Sequence, residues 1–353
     1  MMRVLIVKMS SLGDIIHAFP VLHYIKECYP QTEVDWVVEQ PFAELVEAHP
    51  LVNRVICIQT KKWRSQYLSK ATWQEAVHFR RELRKSFYHI ILDLQGNVKS
   101  GLVTASAKSS LKVGFGYSSV PEWPNILATH RHCNPPKGNN IREDYLFIAQ
   151  SAFGNFTPIV GTGVQLKLTS QEEIQLTPVL ELCQKINGLK VLVCPGSNWP
   201  NKQLSKETLQ SFLQCFSRKL NAHFLFLWGH QAEKTFAEEL AASIPHKSSV
   251  INRLPLAALQ NLMVHVDLVL AMDSLPLHLT GTTSTPSYSV FGASSAHKYK
   301  PTGDHHKAFQ GSCPYGKHFE KRCDLLRTCQ TGACMKQLEG QELFDHFSEW
   351  WSS

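Results

Sequence analysis

The sequence lacks the features that mark membrane-spanning proteins and two common classes of nucleotide-dependent enzyme. Its apolar runs are all shorter than the roughly 18–20 residues that cross a bilayer as a helix. No G-x-G-x-x-G follows the first apolar run and no G-x-x-x-x-G-K-[ST] occurs, which argues against a nicotinamide oxidoreductase and a P-loop ATPase or kinase. No D-x-D pair is present to hold a divalent metal on a nucleotide diphosphate, so lysines and helix ends are expected to neutralise any bound diphosphate.

The composition is typical of a folded globular protein, with 353 residues of which 43% are hydrophobic and 18% are charged. This length suits two domains of roughly 150 residues each. The apolar stretch Val4–Val7 is too short for a signal peptide and predicts a first β-strand, which implies a cytoplasmic protein. The net charge of +7 favours an anionic partner such as nucleic acid, a phosphorylated metabolite or a membrane, although solubility alone explains it equally well.

Short apolar runs alternate with helix-like patterns along the chain, which predicts βαβ units and parallel sheets. One clear helical pattern covers Thr72–Lys85. The stretch Asn155–Thr162 is rich in Gly, Pro and Thr and predicts a linker, so residues 1–158 and 165–353 are expected to form two α/β domains. The predicted strands are Val4–Val7, Val34–Val38, Val55–Ile58, Ile90–Leu94, Lys190–Cys194, Ala222–Trp228, Leu268–Met272 and Ser287–Phe291.

The end of the chain combines a cysteine-rich segment with a predicted helix over Gln337–Trp351. The aromatic residues of this helix are expected to dock it onto a domain, with a membrane-facing helix as the alternative. The cysteines are separated by nine, five and four residues, a spacing that fits no C-x-x-C zinc pattern. Free thiols are therefore expected, with a local metal site or a disulfide pair as alternatives, at Cys313, Cys323, Cys329 and Cys334.

Small, polar or charged residues follow five of the predicted strands. In open parallel sheets, ligands bind beyond the carboxyl ends of the strands. Each of these turns taken alone is also explained by ordinary turn or capping chemistry. Their coincidence predicts that the two sheets line one cleft. The five turns are Ser10–Asp14, Gln95–Lys99, Pro195–Lys202, Gly229–Glu233 and Asp273–His278.

Two features of the first half are candidates for acceptor chemistry. Asp14 stands in the first turn of a predicted helix after Ser11 and Gly13, where it is either a cap or a general base. A helix N-terminus keeps this carboxylate ionised, which suits a reaction in which the attacking hydroxyl becomes acidic late. A basic stretch suits an anionic acceptor or is a solvated loop; it contains Lys61, Lys62 and Arg64.

The second half offers the groups that a bound nucleotide diphosphate requires. Ser197 and Lys202 supply a hydroxyl and a cation beside a Pro-Gly turn, although a solvated lysine is as common. Asp273-Ser274 begins another predicted helix, whose N-terminus is a second phosphate-binding position. Glu233 has the spacing to reach a ribose, and a surface glutamate is the equal alternative. His278 reads as a buried, hydrogen-bonded histidine more readily than as a catalytic one.

These residues together resemble glycosyltransferase family 9, in particular its lipopolysaccharide heptosyltransferase I branch. The opening Val4–Lys8 running into Ser10–His17 carries the resemblance most specifically. The remaining matching motifs follow in the family's order over nearly the whole chain: Asp93–Gly96 with Lys99, Pro195–Lys202, Trp228–Glu233 and Asp273–His278.

The resemblance implies a GT-B fold with two Rossmann-like domains that face a cleft and a C-terminal helix that packs back. It implies a donor, ADP-heptose, that binds the second domain, and an acceptor, a Kdo sugar on a lipid A precursor, that binds the first. Transfer would be inverting and independent of metal or cofactor. The enzyme would be a monomer at the cytoplasmic face of the inner membrane, without a nucleic-acid partner.

The resemblance also implies roles for individual residues. Asp14 would be the general base, and Lys202 would stabilise the departing diphosphate. The donor site would contain Ser197, Glu233 at the ribose, Asp273, Ser274, Leu275 and His278. The acceptor site would contain Ser11, Gly13, Lys61, Lys62, Arg64, Gln95 and Lys99.

The sequence departs from the family pattern at three places. Leu275 replaces a glycine after Asp-Ser, Pro121 stands where relatives commonly have arginine, and Ala293-Ser294 replaces Pro-Thr. The first two keep open a catalytically idle GT-B protein that binds nucleotide or lipid. A glycosyltransferase with another sugar donor is a further alternative, whereas an epimerase on the same fold is disfavoured by the turn Ser10–Asp14.

Overall fold

The computed structural model describes residues 1–159 and 163–352 of the chain. The chain divides into two compact units, Met1–Lys167 and Leu168–Ser353. Residues 160–162, the last three of the predicted linker, and residue 353 lie outside the described part. In the described residues no helix is both long enough and apolar enough to cross a bilayer.

A six-stranded parallel sheet forms the centre of the first unit. Its strands are β1 (Arg3–Val7), β2 (Glu33–Glu39), β3 (Arg54–Ile58), β4 (Tyr88–Asp93), β5 (Ser109–Phe115) and β6 (Arg131–Cys133). They lie in the order β3-β2-β1-β4-β5-β6, with β2 and β4 on either side of β1. The direction of winding therefore reverses between β1 and β4, and their carboxyl ends form the switch point at which such sheets bind ligands.

The second unit repeats this arrangement with a second six-stranded parallel sheet. Its strands are β7 (Leu189–Cys194), β8 (Ala222–Phe226), β9 (Ser248–Val250), β10 (Leu268–Met272), β11 (Ser287–Phe291) and β12 (His306–Gln310). Their order is β12-β11-β10-β7-β8-β9, so the switch point lies between β7 and β10. Both sheets confirm the predicted α/β class.

Helices cover the sheets of both units. The first unit contains α1 (Leu12–His17), α2 (Phe19–Cys28), α3 (Ala43–Glu47), α4 (Thr60–Ser65), α5 (Lys70–Leu83), α6 (Val98–Ser106) and α7 (Ile141–Phe153). The second contains α8 (Ser170–Lys185), α9 (Lys206–Lys219), α10 (Gln231–Ala242), α11 (Leu256–Met263), α12 (Leu275–Thr280), α13 (Ala296–Tyr299), α14 (Ala333–Lys336) and α15 (Gly340–Trp351). Short 3-10 turns span Gln40–Phe42, Trp123–Ala128 and Pro200–Lys202.

The C-terminal helix α15 is docked on the second unit, as predicted for its aromatic residues. Phe347 is fully buried and lies 4.8 Å from the ring of Phe216 on α9. Tyr288 of β11 packs edge-on against the same Phe347 ring at 5.4 Å and donates a hydrogen bond to the Leu343 carbonyl. The apolar face of α15 is therefore part of the core. This burial excludes the alternative membrane-facing role for that face.

All eight predicted strands are present with end shifts of no more than two residues, while β5, β6, β9 and β12 were not predicted. These four strands carry polar residues such as Ser-Ser at the start of β5 and His-Lys at the start of β12. Three of the four, β6, β9 and β12, are edge strands with a neighbouring strand on one side only, and β5 lies beside an edge, so a continuous apolar run is not needed there.

Candidate active site

Gln95 connects the two strands that meet at the switch point of the first sheet. It follows β4, and its side-chain Oε1 accepts hydrogen bonds from the backbone N–H groups of Met9 and Ser10, each at 3.1 Å. Met9 and Ser10 follow β1. The side chain therefore fixes the backbone that leads into Ser11–Asp14, which is a supporting contact for a residue that was predicted to meet the acceptor.

Asp93, the last residue of β4, stabilises the turn at Gln95 and Gly96 that follows this strand. Its Oδ1 accepts from the N–H groups of Gln95 and Gly96 at 3.0 and 2.9 Å, and its Oδ2 accepts from Asn125 Nδ2 at 2.7 Å. Burial raises the pKa of this carboxyl, and the surrounding hydrogen bonds oppose that rise. Gly96 adopts a φ of +72°, and a side chain there would meet Pro121. Pro121, one of the departures from the family pattern, thus lies beside the switch point.

Asp14 caps the start of α1, which is one of the two functions that the sequence left open at this position. Ser11 donates to its Oδ2 from the backbone N–H at 3.2 Å and from the hydroxyl at 2.8 Å, which closes a capping box at the start of α1. Asp14 is nevertheless half-buried and not enclosed, and it lies in the first turn of α1, the helix that follows β1. The cap fixes the carboxylate in place, and the helix N-terminus favours its ionised form.

The basic residues predicted for the acceptor gather around α4 and the start of α6. Lys99 donates to Thr60 Oγ1 at 3.4 Å, and Thr60 begins α4, the helix that carries Lys61, Lys62 and Arg64. Lys62 is paired with Glu75 at 2.6 Å. The structure therefore brings Lys99 beside the basic helix, but Lys62 already has an anionic partner within the protein.

Lys8 was not selected from the sequence, although it follows an apolar strand directly. Its side chain is buried, donates to the hydroxyl of Tyr145 at 2.8 Å, and lies 4.7 Å from the centre of that ring. The Lys8 carbonyl accepts from the indole of the buried Trp36 at 2.8 Å. The sequence feature that could have identified Lys8 as a site residue is its position, as a charged residue at the carboxyl end of an apolar strand.

Lys202 and Asp273 form a buried ion pair at the switch point of the second sheet. Lys202 ends the 3-10 turn that follows β7, and Asp273 follows β10. The distance from Nζ to Oδ2 is 2.5 Å, and the two residues are 8% and 5% exposed. The lysine is therefore fixed and nearly dehydrated, with two of its three ammonium hydrogens left to other acceptors.

Asp273 accepts from three side chains that come from different segments. Besides Lys202, these are the hydroxyl of Ser294, which follows β11, and the ring Nε2 of His278, which lies 3.5 Å from Oδ1. Burial alone would raise the pKa of this carboxyl, but His278 and Lys202 together hold the pKa far below its usual range. Asp273 is therefore a permanent anion that sets the position of Lys202.

Ser274, Leu275 and His278 lie at the start of α12 or within it. Ser274 is the residue before the helix, and its hydroxyl donates to the Met272 carbonyl at 3.2 Å. Leu275 is half-buried, and His278 is almost completely buried against Asp273. His278 is thus the buried, hydrogen-bonded histidine that the sequence favoured.

Ser197 and Glu233 complete the group of predicted donor residues at this edge. The Ser197 hydroxyl donates to the Asp273 carbonyl at 3.4 Å, which joins the ends of β7 and β10. Glu233 Oε2 accepts from the Gly229 N–H at 2.7 Å, and a side chain at Gly196 would collide with the Glu233 carboxylate. The structure therefore brings all the predicted donor residues together beyond the carboxyl ends of β7, β8 and β10.

The chain matches a family model over more than half of its length. Residues 76–328 match the model described as glycosyltransferase family 9 (heptosyltransferase). This chain belongs to glycosyltransferase family 9. Lipopolysaccharide heptosyltransferase 1 of Campylobacter coli is 27% identical over 310 residues, which cover 84% of this chain and 86% of that relative. The Pseudomonas aeruginosa protein of the same name is 28% identical over 296 residues, which cover 82% and 79%.

The fold of this glycosyltransferase agrees with a solved family structure. E. coli heptosyltransferase WaaC with ADP superposes with a TM-score of 0.78 at 22% identity, and the match covers 99% of this chain and 100% of that one. The two six-stranded parallel sheets with their helices are the two Rossmann-like domains of the GT-B fold. This superposition confirms the predicted fold class, and the family model confirms the family that the motifs indicated.

The departure at Ala293-Ser294 preserves a hydroxyl at the site of this family 9 enzyme. Ser294 is fully buried and donates to Asp273, so it supplies one of the contacts that hold that carboxylate. The sequence showed Ser294 only as a replacement for threonine. Because serine and threonine share the hydroxyl that donates here, this departure leaves the contact to Asp273 in place.

The Lys202 turn is anchored to the cysteine-rich segment that precedes α15. Asn201 Nδ2 donates to the Leu326 carbonyl at 2.9 Å, and the guanidinium of Arg327 lies 5.6 Å from the ring centre of Trp199. Neither Asn201 nor Arg327 was selected from the sequence. The segment therefore supports the turn that carries the buried lysine.

The four cysteines of this segment are free thiols, as the spacing predicted, and so are the other six cysteines of the chain. Burial and the neighbouring Cys313, Cys329 and Cys323 raise the pKa of the Cys334 thiol to about 11. Among the described residues no three His, Cys, Asp or Glu side chains are arranged to hold a metal ion.

Proposed function

We propose that this family 9 glycosyltransferase moves a heptose from ADP-heptose to a Kdo residue of the lipopolysaccharide inner core, as a monomer at the cytoplasmic face of the inner membrane. The observation that carries the proposal is the buried Lys202–Asp273 pair at the switch point of the second sheet. A cation fixed in a dehydrated site, where such sheets bind nucleotides, is suited to a diphosphate.

The donor is assigned to the second predicted domain, residues 165–353, which contains the second unit, Leu168–Ser353. The two ammonium hydrogens of Lys202 that Asp273 does not use are available to the oxygens of the diphosphate. Ser197 and the start of α12 at Ser274 and Leu275 lie beside this ammonium group through their links to Asp273. Glu233 is placed to accept from the hydroxyls of the ADP ribose, because its carboxylate lies at the neighbouring strand ends.

The acceptor is assigned to the first predicted domain, residues 1–158, which lies within the first unit, Met1–Lys167, with Asp14 as general base. Asp14 would take the proton from the attacking Kdo hydroxyl as that oxygen forms a bond to the anomeric carbon of the heptose. The bond from this carbon to the diphosphate would break at the same time, so that ADP leaves and the configuration inverts. Lys202 would stabilise the negative charge of the leaving diphosphate without a metal ion.

The anionic acceptor would be held by the basic residues around α4. Kdo is a carboxylate sugar and lipid A carries phosphates, so both present negative charge to Lys61, Arg64 and Lys99. Lys62 would have to exchange Glu75 for the acceptor. Ser11, Gly13 and Gln95 would shape the turn around the attacking hydroxyl, since they support or adjoin Asp14.

The names of the relatives support the donor and the pathway. Both the C. coli and the P. aeruginosa relatives are lipopolysaccharide heptosyltransferases 1. The E. coli WaaC structures contain ADP in one case and ADP-2-deoxy-2-fluoro heptose in the other. A donor of the same class is the simplest one for a family 9 enzyme with the matching strand-end residues.

The decisive experiment measures ADP release from ADP-heptose with a Kdo-lipid acceptor in the presence of a metal chelator. The wild-type protein should release ADP, and Asp14→Asn should lower kcat by at least about 100-fold, since general-base catalysis contributes about 10² to 10⁴. Asparagine keeps the side-chain oxygen that caps α1, so the variant tests the base and leaves the cap intact.

Asp345→Asn serves as the matched control, because Asp345 is exposed on α15, where it accepts a hydrogen bond from Gln341 one turn away. It should retain full activity. If no Kdo acceptor stimulated ADP release although the protein bound nucleotide tightly, the catalytically idle binding protein would be favoured. Thermal stabilisation by UDP- or GDP-sugars but not by ADP-heptose would assign another donor.

A further inference from the structure

The surface of the first unit between α4 and the middle of α5 exposes four large apolar side chains. Tyr67 and Leu68, in the connection between the two helices, are 63% and 83% exposed. Trp73 and Val77 on α5 are 65% and 46% exposed. We call these four residues the apolar patch. Single exposed apolar residues are ordinary, but four within eleven consecutive residues, 67–77, indicate an interaction surface.

The patch continues along α5 into a basic stripe. Residues four, seven or eight, and eleven positions apart share one face of a helix, so Trp73 and Val77 are followed on their face by Arg80, Arg81 and Arg84. The opposite face packs into the core through Phe79 and Leu83. The helix is thus fixed to the sheet by one face and presents apolar and then basic residues on the other.

The charge around the patch is strongly positive. Residues 60–85 contain two glutamates, and both are paired with lysines, Glu75 with Lys62 and Glu82 with Lys85. The same residues contain eight basic side chains, which leaves a surplus of six positive charges: Lys61, Lys62, Arg64, Lys70, Arg80, Arg81, Arg84 and Lys85.

We propose that the apolar patch and its basic surround dock this enzyme on an anionic lipid bilayer. Tyr67, Leu68, Trp73 and Val77 enter the headgroup region, and the arginines and lysines meet the lipid phosphates. Aromatic and aliphatic side chains surrounded by lysines and arginines match a bilayer interface. The long basic side chains reach the lipid phosphates, while the apolar side chains lie deeper in the headgroup region. The surplus of positive charge favours this partner over a second copy of the chain, which would bring the same charges together.

This inference deepens the proposed function, because a lipid-anchored acceptor is met at a bilayer. The patch borders α4, which carries the lysines and the arginine assigned to the acceptor. Docking at this surface would bring the acceptor's anionic groups to the first unit without extraction of its acyl chains.

Vesicle sedimentation tests the docking itself. The wild-type protein should bind vesicles of phosphatidylglycerol and phosphatidylcholine at least about tenfold more tightly than pure phosphatidylcholine, and high salt should remove most of the difference. Two double variants test the two parts of the surface. Leu68→Glu with Trp73→Glu changes the apolar patch, and Arg80→Glu with Arg81→Glu changes the basic stripe. Each should lower the affinity for the anionic vesicles by about tenfold or more. Ile174→Glu and Leu102→Glu are matched controls, since these side chains are 73% and 67% exposed elsewhere on the two units. Both controls should bind like the wild type.

Three outcomes of this experiment would overturn the proposal. They are equal binding to both vesicle types, equal losses in the variants and the controls, and a wild-type dimer in analytical ultracentrifugation that Leu68→Glu with Trp73→Glu dissociates. In the last case the patch would be covered by a second copy of the chain.

A pair of activity assays separates this inference from the proposed function. Leu68→Glu with Trp73→Glu should release ADP at the wild-type rate with a water-soluble Kdo acceptor that lacks acyl chains. It should be about tenfold slower with the acceptor embedded in anionic vesicles, because only the second reaction requires docking. Equal rates of variant and wild type on the embedded acceptor would contradict docking. Absence of ADP release in every case, with vesicle binding intact, would reject the proposed function alone.

Discussion

Lys202 and Asp273 are 71 residues apart in the sequence, yet their side chains meet at 2.5 Å where the second sheet reverses its winding. Both residues are more than nine-tenths buried. Removal of two charges from water costs several kcal/mol per ion, and their attraction seldom gives a large surplus over an apolar pair of the same size. The pair is therefore better explained by the need for a fixed cation at the edge proposed to bind the nucleotide than by stability.

The pair should make the stability of the protein depend on pH in the acid range. The pKa of Asp273 in the folded protein is lowered from its ordinary value of 3.8. A lowered pKa stabilises the fold above the unfolded value and loses this effect as the pH falls through the folded value. Asp273→Asn should cost about 3–5 kcal/mol near neutral pH, since it leaves the lysine buried without its anion. The difference from wild type in urea unfolding should shrink below about pH 4.

Lys202→Met and the double variant provide the control for this prediction. Each single variant removes one partner, whereas the double variant with Asp273→Asn leaves no unpaired buried charge. The double variant should therefore be less destabilised than the sum of the two single effects, by about 1–3 kcal/mol. Additive effects with an unchanged pH profile would show that the pair is not coupled in solution.

Glu233 should act on donor binding and not on the transfer step. The ribose is remote from the reacting bond and is held equally in the ground and transition states, so loss of this contact raises KM without changing kcat. Glu233→Gln should raise the KM for ADP-heptose about tenfold, because a hydrogen bond to a charged acceptor is worth about 1.5–3 kcal/mol. Glu238→Gln on the same helix α10 should leave both constants unchanged. A fall in kcat at constant KM would assign Glu233 to the chemistry instead.

The sequence predicted those strands well whose residues are mostly apolar. β1, β4, β7 and β10 lie in the middle of their sheets, and each contains a run of at least three buried apolar residues. β9 and β12 are edge strands with serine, histidine and lysine, and their pairing depends on backbone hydrogen bonds to a neighbour that no local pattern reveals.

The sequence indicated which residues belong to the candidate site but not how these residues contact one another. Strand ends identified Asp14, Lys202 and Asp273, because parallel topology brings these turns to one edge of each sheet. The Ser294 hydroxyl on Asp273 and the Gln95 oxygen on Ser10 depend on side-chain positions set by packing between distant segments. Such contacts leave no local signal in the chain.

Gln95 should act on catalysis by positioning the turn that carries Asp14. Gln95→Leu removes the acceptor of the Met9 and Ser10 N–H groups, and each unsatisfied donor costs about 1–3 kcal/mol. This variant should lower both the melting temperature and kcat, the latter about tenfold. Gln95→Glu keeps an oxygen at the same place and should restore kcat. If Gln95→Glu lost activity mainly through a raised acceptor KM, the amide would contact the acceptor directly.

Two neighbouring thiols of the cysteine-rich segment should differ sharply in reactivity. The Gly332 N–H, 3.4 Å from the sulfur, and the Thr331 hydroxyl lower the pKa of Cys329. Burial raises the pKa of Cys334 to about 11, and the thiolate is the form that reacts. Iodoacetamide near neutral pH should therefore alkylate Cys329 at least about tenfold faster than Cys334, as measured by mass spectrometry of peptides. Thr331→Val should slow Cys329 and leave Cys334 unchanged, and equal rates in the wild type would contradict the difference in pKa.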